Sequence, residues 1–114
     1  MSAAAFRQRL RDDLKAAMRA RNDAEVRLLR ALGAAIDNAE AVSGASLQDN
    51  TEFRRFGDGQ SEVARRELQP RDIAELLAHE RGERLAAATS FERLGEPAEA
   101  LRLRKEAALV ARYE

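Results

Sequence analysis

A run of basic residues marks the N-terminal segment at steps of four. It consists of Arg7, Arg11, Lys15 and Arg19. Residues four apart share one face of an α-helix, and like charges there oppose helix formation by about 0.2–0.5 kcal/mol per pair. One interpretation is an edge that contacts phosphates, which would give the repulsion a function in nucleic-acid binding. The other is a solvated face, on which Asp12 and Asp13 relieve the repulsion.

A second basic candidate lies near the middle of the chain. Arg54 and Arg55 stand side by side between Phe53 and Phe56. Arginine and aromatic side chains both stack on unpaired RNA bases, so this group would suit RNA. The alternative is that the two phenylalanines anchor a loop to the rest of the domain.

A charged pair interrupts an apolar line in the second half of the chain. Glu80 and Arg84 are four residues apart, and the line includes Ile73, Leu77, Ala88 and Phe91. An inward ion pair is costly unless both groups are hydrogen-bonded, and we consider Asn38 and Glu40 as its partners. A carboxylate perturbed there would be a candidate site. Alternatively, the pair lies at the edge and the buried line consists of Ala74, Ala78, Gly82 and Leu85.

The sequence lacks the residues that several kinds of catalytic and metal-binding site require. The sequence has no cysteine, which excludes disulfides, thiolate metal sites and cysteine nucleophiles. His79 is the single histidine, and one histidine with scattered acids makes no zinc site. Gly57-Asp58-Gly59 lacks the lysine of a phosphate-binding loop. We therefore predict neither catalytic residues nor a metal or cofactor.

Composition predicts the fold class. The 114 residues suit one domain, and Ala, Leu, Arg and Glu, which favour helices, dominate them. Basic and acidic residues number 20 each, which does not favour a globally basic nucleic-acid binder. Without a membrane-length apolar run or a signal peptide, we expect a cytoplasmic protein.

Helical periodicity and turn residues predict four helices in one all-α domain. We place them at about 4–21, 24–42, 70–94 and 97–113. Asp23 is the expected N-cap of the second helix, and Pro70 the first residue of the third. A long loop is predicted over 43–60, followed by a helical turn over 62–67. Short connections pair the helices into two antiparallel hairpins, and these form a four-helix bundle.

The second of these helices is expected to be central, because it carries two apolar lines rather than one. The first line is Val26, Leu29, Gly33 and Ile36, and the second is Leu28, Leu32, Ala35, Ala39 and Val42. On the first helix the expected buried line is Phe6, Leu10, Leu14, Ala17 and Met18. Helices must therefore pack on the central one from more than one side.

Motifs along the whole chain except 43–60 resemble the YqeY-like proteins of the GatB/YqeY family. They are the stretch 14–21, Leu29-Arg30, Ala35-Ile36, Asn38, Glu40, Arg84, Phe91, Gly95, Glu106, Leu109 and Tyr113. The resemblance implies kinship to the C-terminal region of the B subunit of the tRNA-dependent glutamine amidotransferase. That region is helical, contacts tRNA and holds no amidotransferase active site, so the family label of carbon–nitrogen ligase comes from kinship. Family members continue past the tyrosine into a small tail domain, whereas this sequence has only Glu114 there and resembles a short form.

We consider two functional hypotheses. The first is a non-catalytic helical module that contacts tRNA or an amidotransferase-type partner. The second is a structural module that associates with itself, because an alanine-rich core is thin for so wide an apolar face on the central helix.

Overall fold

The described structure, a computed structural model, covers residues 2–49 and 67–114. Its four helices are α1 (Ala3–Arg19), α2 (Asp23–Asp49), α3 (Pro70–Arg93) and α4 (Pro97–Ala111). Helices α1 and α2 form one antiparallel hairpin, α3 and α4 form the other, and the described residues contain no strand. The prediction of an all-α bundle of two hairpins is confirmed.

Helix α1 begins at a capping serine and buries one face. The Oγ atom of Ser2 accepts a hydrogen bond from the backbone N–H of Ala5 at 3.1 Å. Phe6, Leu10 and Ala17 are buried as predicted, but Met18 is 51% exposed. The prediction for Met18 was wrong because the buried face passes through Ala17 in the last turn and leaves its neighbour at the edge.

Both hairpins are closed by the same turn. In the first, Arg21 has φ of 57°, its N–H bonds the Met18 carbonyl, and the next N–H bonds the Ala17 carbonyl. In the second, Gly95 has φ of 76° and the equivalent bonds reach Glu92 and Phe91. These are Schellman motifs, in which one residue adopts the left-handed conformation that glycine tolerates best.

The N-cap of α2 lies one residue earlier than predicted. Asn22, not Asp23, accepts the backbone N–H of Glu25 at its Oδ1 atom, at 3.2 Å. Its Nδ2 atom donates in return to the Glu25 carboxylate at 3.1 Å. Asp23 is instead the first helical residue, where its negative charge favours the positive end of the helix dipole.

The C-terminal end of α2 also differs from the prediction, since the helix runs to Asp49 rather than ending at residue 42. One glycine, Gly44, costs a helix about 1 kcal/mol relative to alanine, which is too little to end it on its own. The remainder of the predicted loop, 50–60, lies outside the described residues. So does the predicted turn at 62–67, apart from Glu67, which is not helical.

The core is built on α2, as its two apolar lines predict. Leu28, Leu29, Leu32 and Ile36 are buried, and the other described positions of the two lines are half-buried. Val42 lies outside the residues whose side chains the structure describes. The largest side chains with almost no exposure are Phe6, Leu28, Leu32, Ile36, Leu77 and Val110.

Helices α3 and α4 continue beyond this core as a pair. Ala88, Ala100 and Leu103 form a second buried cluster, with Ala87 and Phe91 packed against it, and all of them belong to α3 or α4. We call this part the distal arm. Its alanines bring the two helices close together but bury little apolar area.

Candidate functional site

The basic line of α1 is divided between structural and exposed residues. Arg7 is half-buried and bridges to α2, with Nη1 donating to Asp37 at 2.6 Å and Nη2 to Glu40 at 2.5 Å. These bonds raise the pKa of Arg7, the hydrogen bond to Asp37 contributing most, so it remains a cation. Arg7 therefore joins α1 to α2 and is not free for a ligand.

The other three residues of the line are exposed. Arg11, Lys15 and Arg19 make no ion pair within the described part of the chain, although Arg11 donates to the Gln8 side chain at 2.9 Å. Arg30 of α2, which the sequence analysis did not single out as a ligand-binding residue, is exposed and equally without an ion pair among those residues. With Arg21 and Arg27, which are also exposed and unpaired among the described residues, the hairpin presents six such cations to solvent.

A groove of about 320 Å³ runs between α1 and α2 beside these cations. Its floor is aliphatic and small, and it consists of Leu10, Leu14, Leu29, Gly33 and Ala34. Arg11 and Arg30 line opposite sides, while the Arg7–Asp37 pair lies at one end. A Cβ atom added to Gly33 would meet no atom within 4 Å, so the groove is open there. The spacing of residues within each helix could not reveal it, because a groove depends on how two helices are rotated about their axes.

The predicted inward pair on α3 is present. Arg84 donates from Nη1 to Glu80 at 2.7 Å and from Nε to Glu106 of α4 at 3.1 Å. The side chains of Arg84 and Glu106 are 15% and 12% exposed. Glu106 also accepts from Arg102 at 2.8 Å. The alternative line through Ala74, Ala78, Gly82 and Leu85 is exposed.

The predicted partners of that pair were wrong. Glu40 accepts from Arg7 of α1, and Asn38 is exposed on α2. Arg84 faces α4 instead, because α3 and α4 pack along most of their lengths, and Glu106 completes the network. The four residues therefore do not form one site, and the α3 network is a structural link between two helices.

One aromatic residue joins the two hairpins. The Tyr113 hydroxyl donates to Asp13 of α1 at 2.6 Å, and its ring meets Phe6 edge to face at a centroid distance of 6.0 Å. The Arg9 guanidinium lies 4.4 Å from the centre of the same ring. Burial, together with the bond to Asp13, raises the pKa of Tyr113 well above its ordinary value. Sequence reasoning included Tyr113 only through the family resemblance.

The remaining candidates supply no further site. Arg54 and Arg55 lie outside the described residues, so their proposed contact with RNA stays a prediction. His79 is exposed on α3. Over the ranges 2–49 and 67–114, no three His, Asp or Glu side chains cluster in a way that could hold a metal ion. None of the helices in those ranges combines the length and apolarity that crossing a membrane requires.

The structure thus defines an all-α bundle of two hairpins, with a cationic groove on the first. Comparison with protein-family models, curated proteins and solved structures finds no match to this chain. The GatB/YqeY resemblance stays a prediction. Two of its residues, Glu106 and Tyr113, take structural positions at helix contacts.

Proposed function

We propose that this chain is a non-catalytic helical binding module whose α1–α2 hairpin binds an anionic macromolecule. The GatB/YqeY resemblance suggests that the partner is tRNA or an amidotransferase subunit, with the carbon–nitrogen ligase label applying by kinship only. The observation that carries the proposal is the open α1–α2 groove with exposed, unpaired cations on both of its sides.

In the described part of the second hairpin, four of the eight cations are paired with acids of the same hairpin, against two of eight on the first. Arg84 binds two glutamates, Arg102 binds Glu99 and Glu106, and Arg104 binds Glu92. On the first hairpin, exposed cations beside an open groove have no acid partner within the described residues. Cations already exposed and unpaired lose no ion pair when an anion binds.

The surroundings of the groove favour binding over catalysis. Among the described residues its lining contains arginines, one aspartate and aliphatic residues, and that aspartate is held by Arg7. His79, the single histidine, is on α3 and does not line the groove. General acid–base and nucleophilic catalysis both need a base within hydrogen-bond reach of the reacting proton.

Titration with labelled tRNA and with a polyglutamate peptide, followed by fluorescence anisotropy, tests the proposal. Three phosphate contacts predict an affinity for tRNA that falls about 20- to 40-fold between 50 and 200 mM salt. The triple variant Arg11→Glu, Lys15→Glu, Arg30→Glu should bind neither probe measurably.

A matched control carries the same change in charge on α3 and α4, namely Arg71→Glu, Arg93→Glu, Lys105→Glu. These three residues are also exposed, so the control should bind nearly as the parent does. Equal losses in both triple variants, or no binding of either probe by the parent, would contradict the proposal.

Self-association is the second candidate, and exposed leucines favour it. Leu94 and Leu101, near the turn of the second hairpin, are 73% and 54% exposed. Burial of a leucine side chain contributes about 1.5–3 kcal/mol, so a second copy covering both would be stabilised. Sedimentation across micromolar concentrations should then show a dimer that the variant Leu94→Glu, Leu101→Glu abolishes. A monomer at every concentration would rule this function out.

A further inference from the structure

The lining of the α1–α2 groove narrows the class of partner. We infer that the anionic partner is an acidic amphipathic helix of another protein, which lies in the groove between α1 and α2. The inference rests on the proposed function and names the partner of that same site.

The floor of the groove is the first reason. Half-buried Leu14 and exposed Ala34 provide apolar surface above the buried Leu10 and Leu29, and no aromatic ring is present among the lining residues that the structure describes. RNA is bound through phosphates and through bases stacked on aromatic or arginine side chains. Phosphates would leave an aliphatic floor unfilled, whereas the apolar face of a helix would cover it.

The shape of the groove is the second reason. Along α1 the lining runs from Arg7 to Leu14, and half-exposed Met18 lies on the same helical face one turn beyond it. The groove and this extension together span about 16 Å at 1.5 Å per residue, or three turns of a docked helix. Gly33 and Ala34 have almost no side chain, which permits close approach of another helix. Amphipathic helices commonly dock in such grooves through residues at i, i+3, i+4 and i+7.

Charge complementarity is the third reason. Arg11 and Arg30 flank the floor on opposite sides, and Lys15 follows Arg11 by one helical turn. Arg7, at the end of the groove, is already neutralised by Asp37 and Glu40. A fitting helix would therefore carry acidic residues on both sides of its apolar stripe.

Two synthetic peptides of identical composition test this inference. One is a 14-residue glutamate-rich helix with leucines at positions i, i+4, i+7 and i+11. The other has the same leucines scattered around the helix. The striped peptide should bind at least about tenfold more tightly, because apolar contact of 1.4 kcal/mol changes affinity tenfold. Labelled tRNA is the third probe.

Variants that fill the groove separate apolar docking from charge attraction. Gly33→Leu and, independently, Ala34→Leu should weaken the striped peptide at least about tenfold and leave the other two probes unchanged. Gly82→Leu is the matched control, since a Cβ atom added there also meets nothing within 4 Å and the position is exposed on α3. Circular dichroism establishes that each variant is folded. Because the two variants are independent, the test still stands if one of them does not fold.

The outcomes distinguish a failure of the helical partner from a failure of the proposed function. If both peptides and tRNA bind equally and neither groove-filling variant matters, the helix inference is wrong while the binding of anions stands. If tRNA binds and both peptides fail, the partner is RNA and the inference is overturned. If none of the three probes binds, the proposed function fails together with it.

Discussion

The two hairpins have the same connecting turn and differ in what holds their helices together. Helix α2 presents four buried aliphatic residues between α1 and the other hairpin, and one arginine links α1 to α2. The distal arm has an alanine seam instead, and ion pairs join α3 and α4, Arg84 to Glu106 and Arg104 to Glu92. Alanine buries little apolar area and only weakly fixes the register of α3 against α4. The ion pairs therefore supply part of the stability and the register of this hairpin. On the first hairpin, where leucine and isoleucine form the core, six of the eight cations have no ion pair among the described residues.

The largest expected effect is in the aliphatic core. Leu32→Ala should lower the free energy of unfolding by about 2–5 kcal/mol, because Leu32 is fully buried and its truncation leaves a cavity. Urea denaturation measures the change. Leu101→Ala is the control, since that leucine is 54% exposed and should change stability by less than about 0.5 kcal/mol. Similar values for the two would refute the assignment of α2 as the centre of the core.

The next effect tests the charged link of the second hairpin. Glu106→Gln should lower the free energy of unfolding by about 1.5–3 kcal/mol, because Arg84 and Arg102 lose an ionised acceptor in a mostly buried place. Arg11→Gln on the first hairpin should change it by less than about 0.5 kcal/mol, since Arg11 has no ion pair among the described residues. If Arg11→Gln were the more damaging variant in urea, the comparison of the hairpins would be reversed.

The contact between the hairpins predicts a dependence on alkaline pH. Tyr113→Phe should lower the free energy of unfolding at pH 8 by about 1.5 kcal/mol through loss of the hydrogen bond to Asp13. Because the pKa of Tyr113 is raised on folding, its contribution is complete below about pH 10 and is lost as pH rises further. The parent should therefore lose stability as the pH rises above about 10 and the variant should lose less, as measured by thermal melting.

Ultraviolet titration provides an independent check. Tyr113 is the single tyrosine and the sequence has no tryptophan, so its ionisation alone dominates the absorbance change. The folded protein should titrate at higher pH than the protein in urea. Coincident titration curves would show that the hydroxyl is not buried.

The smallest effects separate the two connecting turns. Gly95→Ala should lower the free energy of unfolding by about 1 kcal/mol, because alanine is strained at φ of 76°. Arg21→Gly should raise it by a few tenths to about 1 kcal/mol, because Arg21 already bears that strain at φ of 57°. We expect the two variants to change the free energy of unfolding in opposite directions. A loss of stability in both would mean that the turns are not equivalent.

Much of the helical framework follows from sequence spacing and capping chemistry. Pro70 begins α3, Gly95 closes the second hairpin, and both apolar lines of α2 are core. The end of α2 could not be predicted, because Gly44 and its polar neighbours weaken a helix without stopping it. Asn22 and Asp23 are both suitable caps, and spacing alone could not choose between them.

The candidate sites were harder to predict than the helices. Spacing placed Glu80 and Arg84 on the buried face, but Glu106 as their partner depends on the register of α3 against α4. In the same way, the basic line predicted exposed cations and could not show that Arg7 binds Asp37 and Glu40. Contacts between helices far apart in sequence are set by their packing, which periodicity within one helix does not determine.

The separate packing of the distal arm has a consequence for how the molecule opens. Its cluster around Ala88 and Ala100 belongs to α3 and α4 alone, so this segment can unravel without disrupting the core around Leu32. Native-state hydrogen exchange should therefore resolve two cooperative units, with amides near Ala88 exchanging through a partial opening of lower free energy than those near Leu32. The α3–α4 hairpin would then open first at its tip, while the α1–α2 groove stays intact.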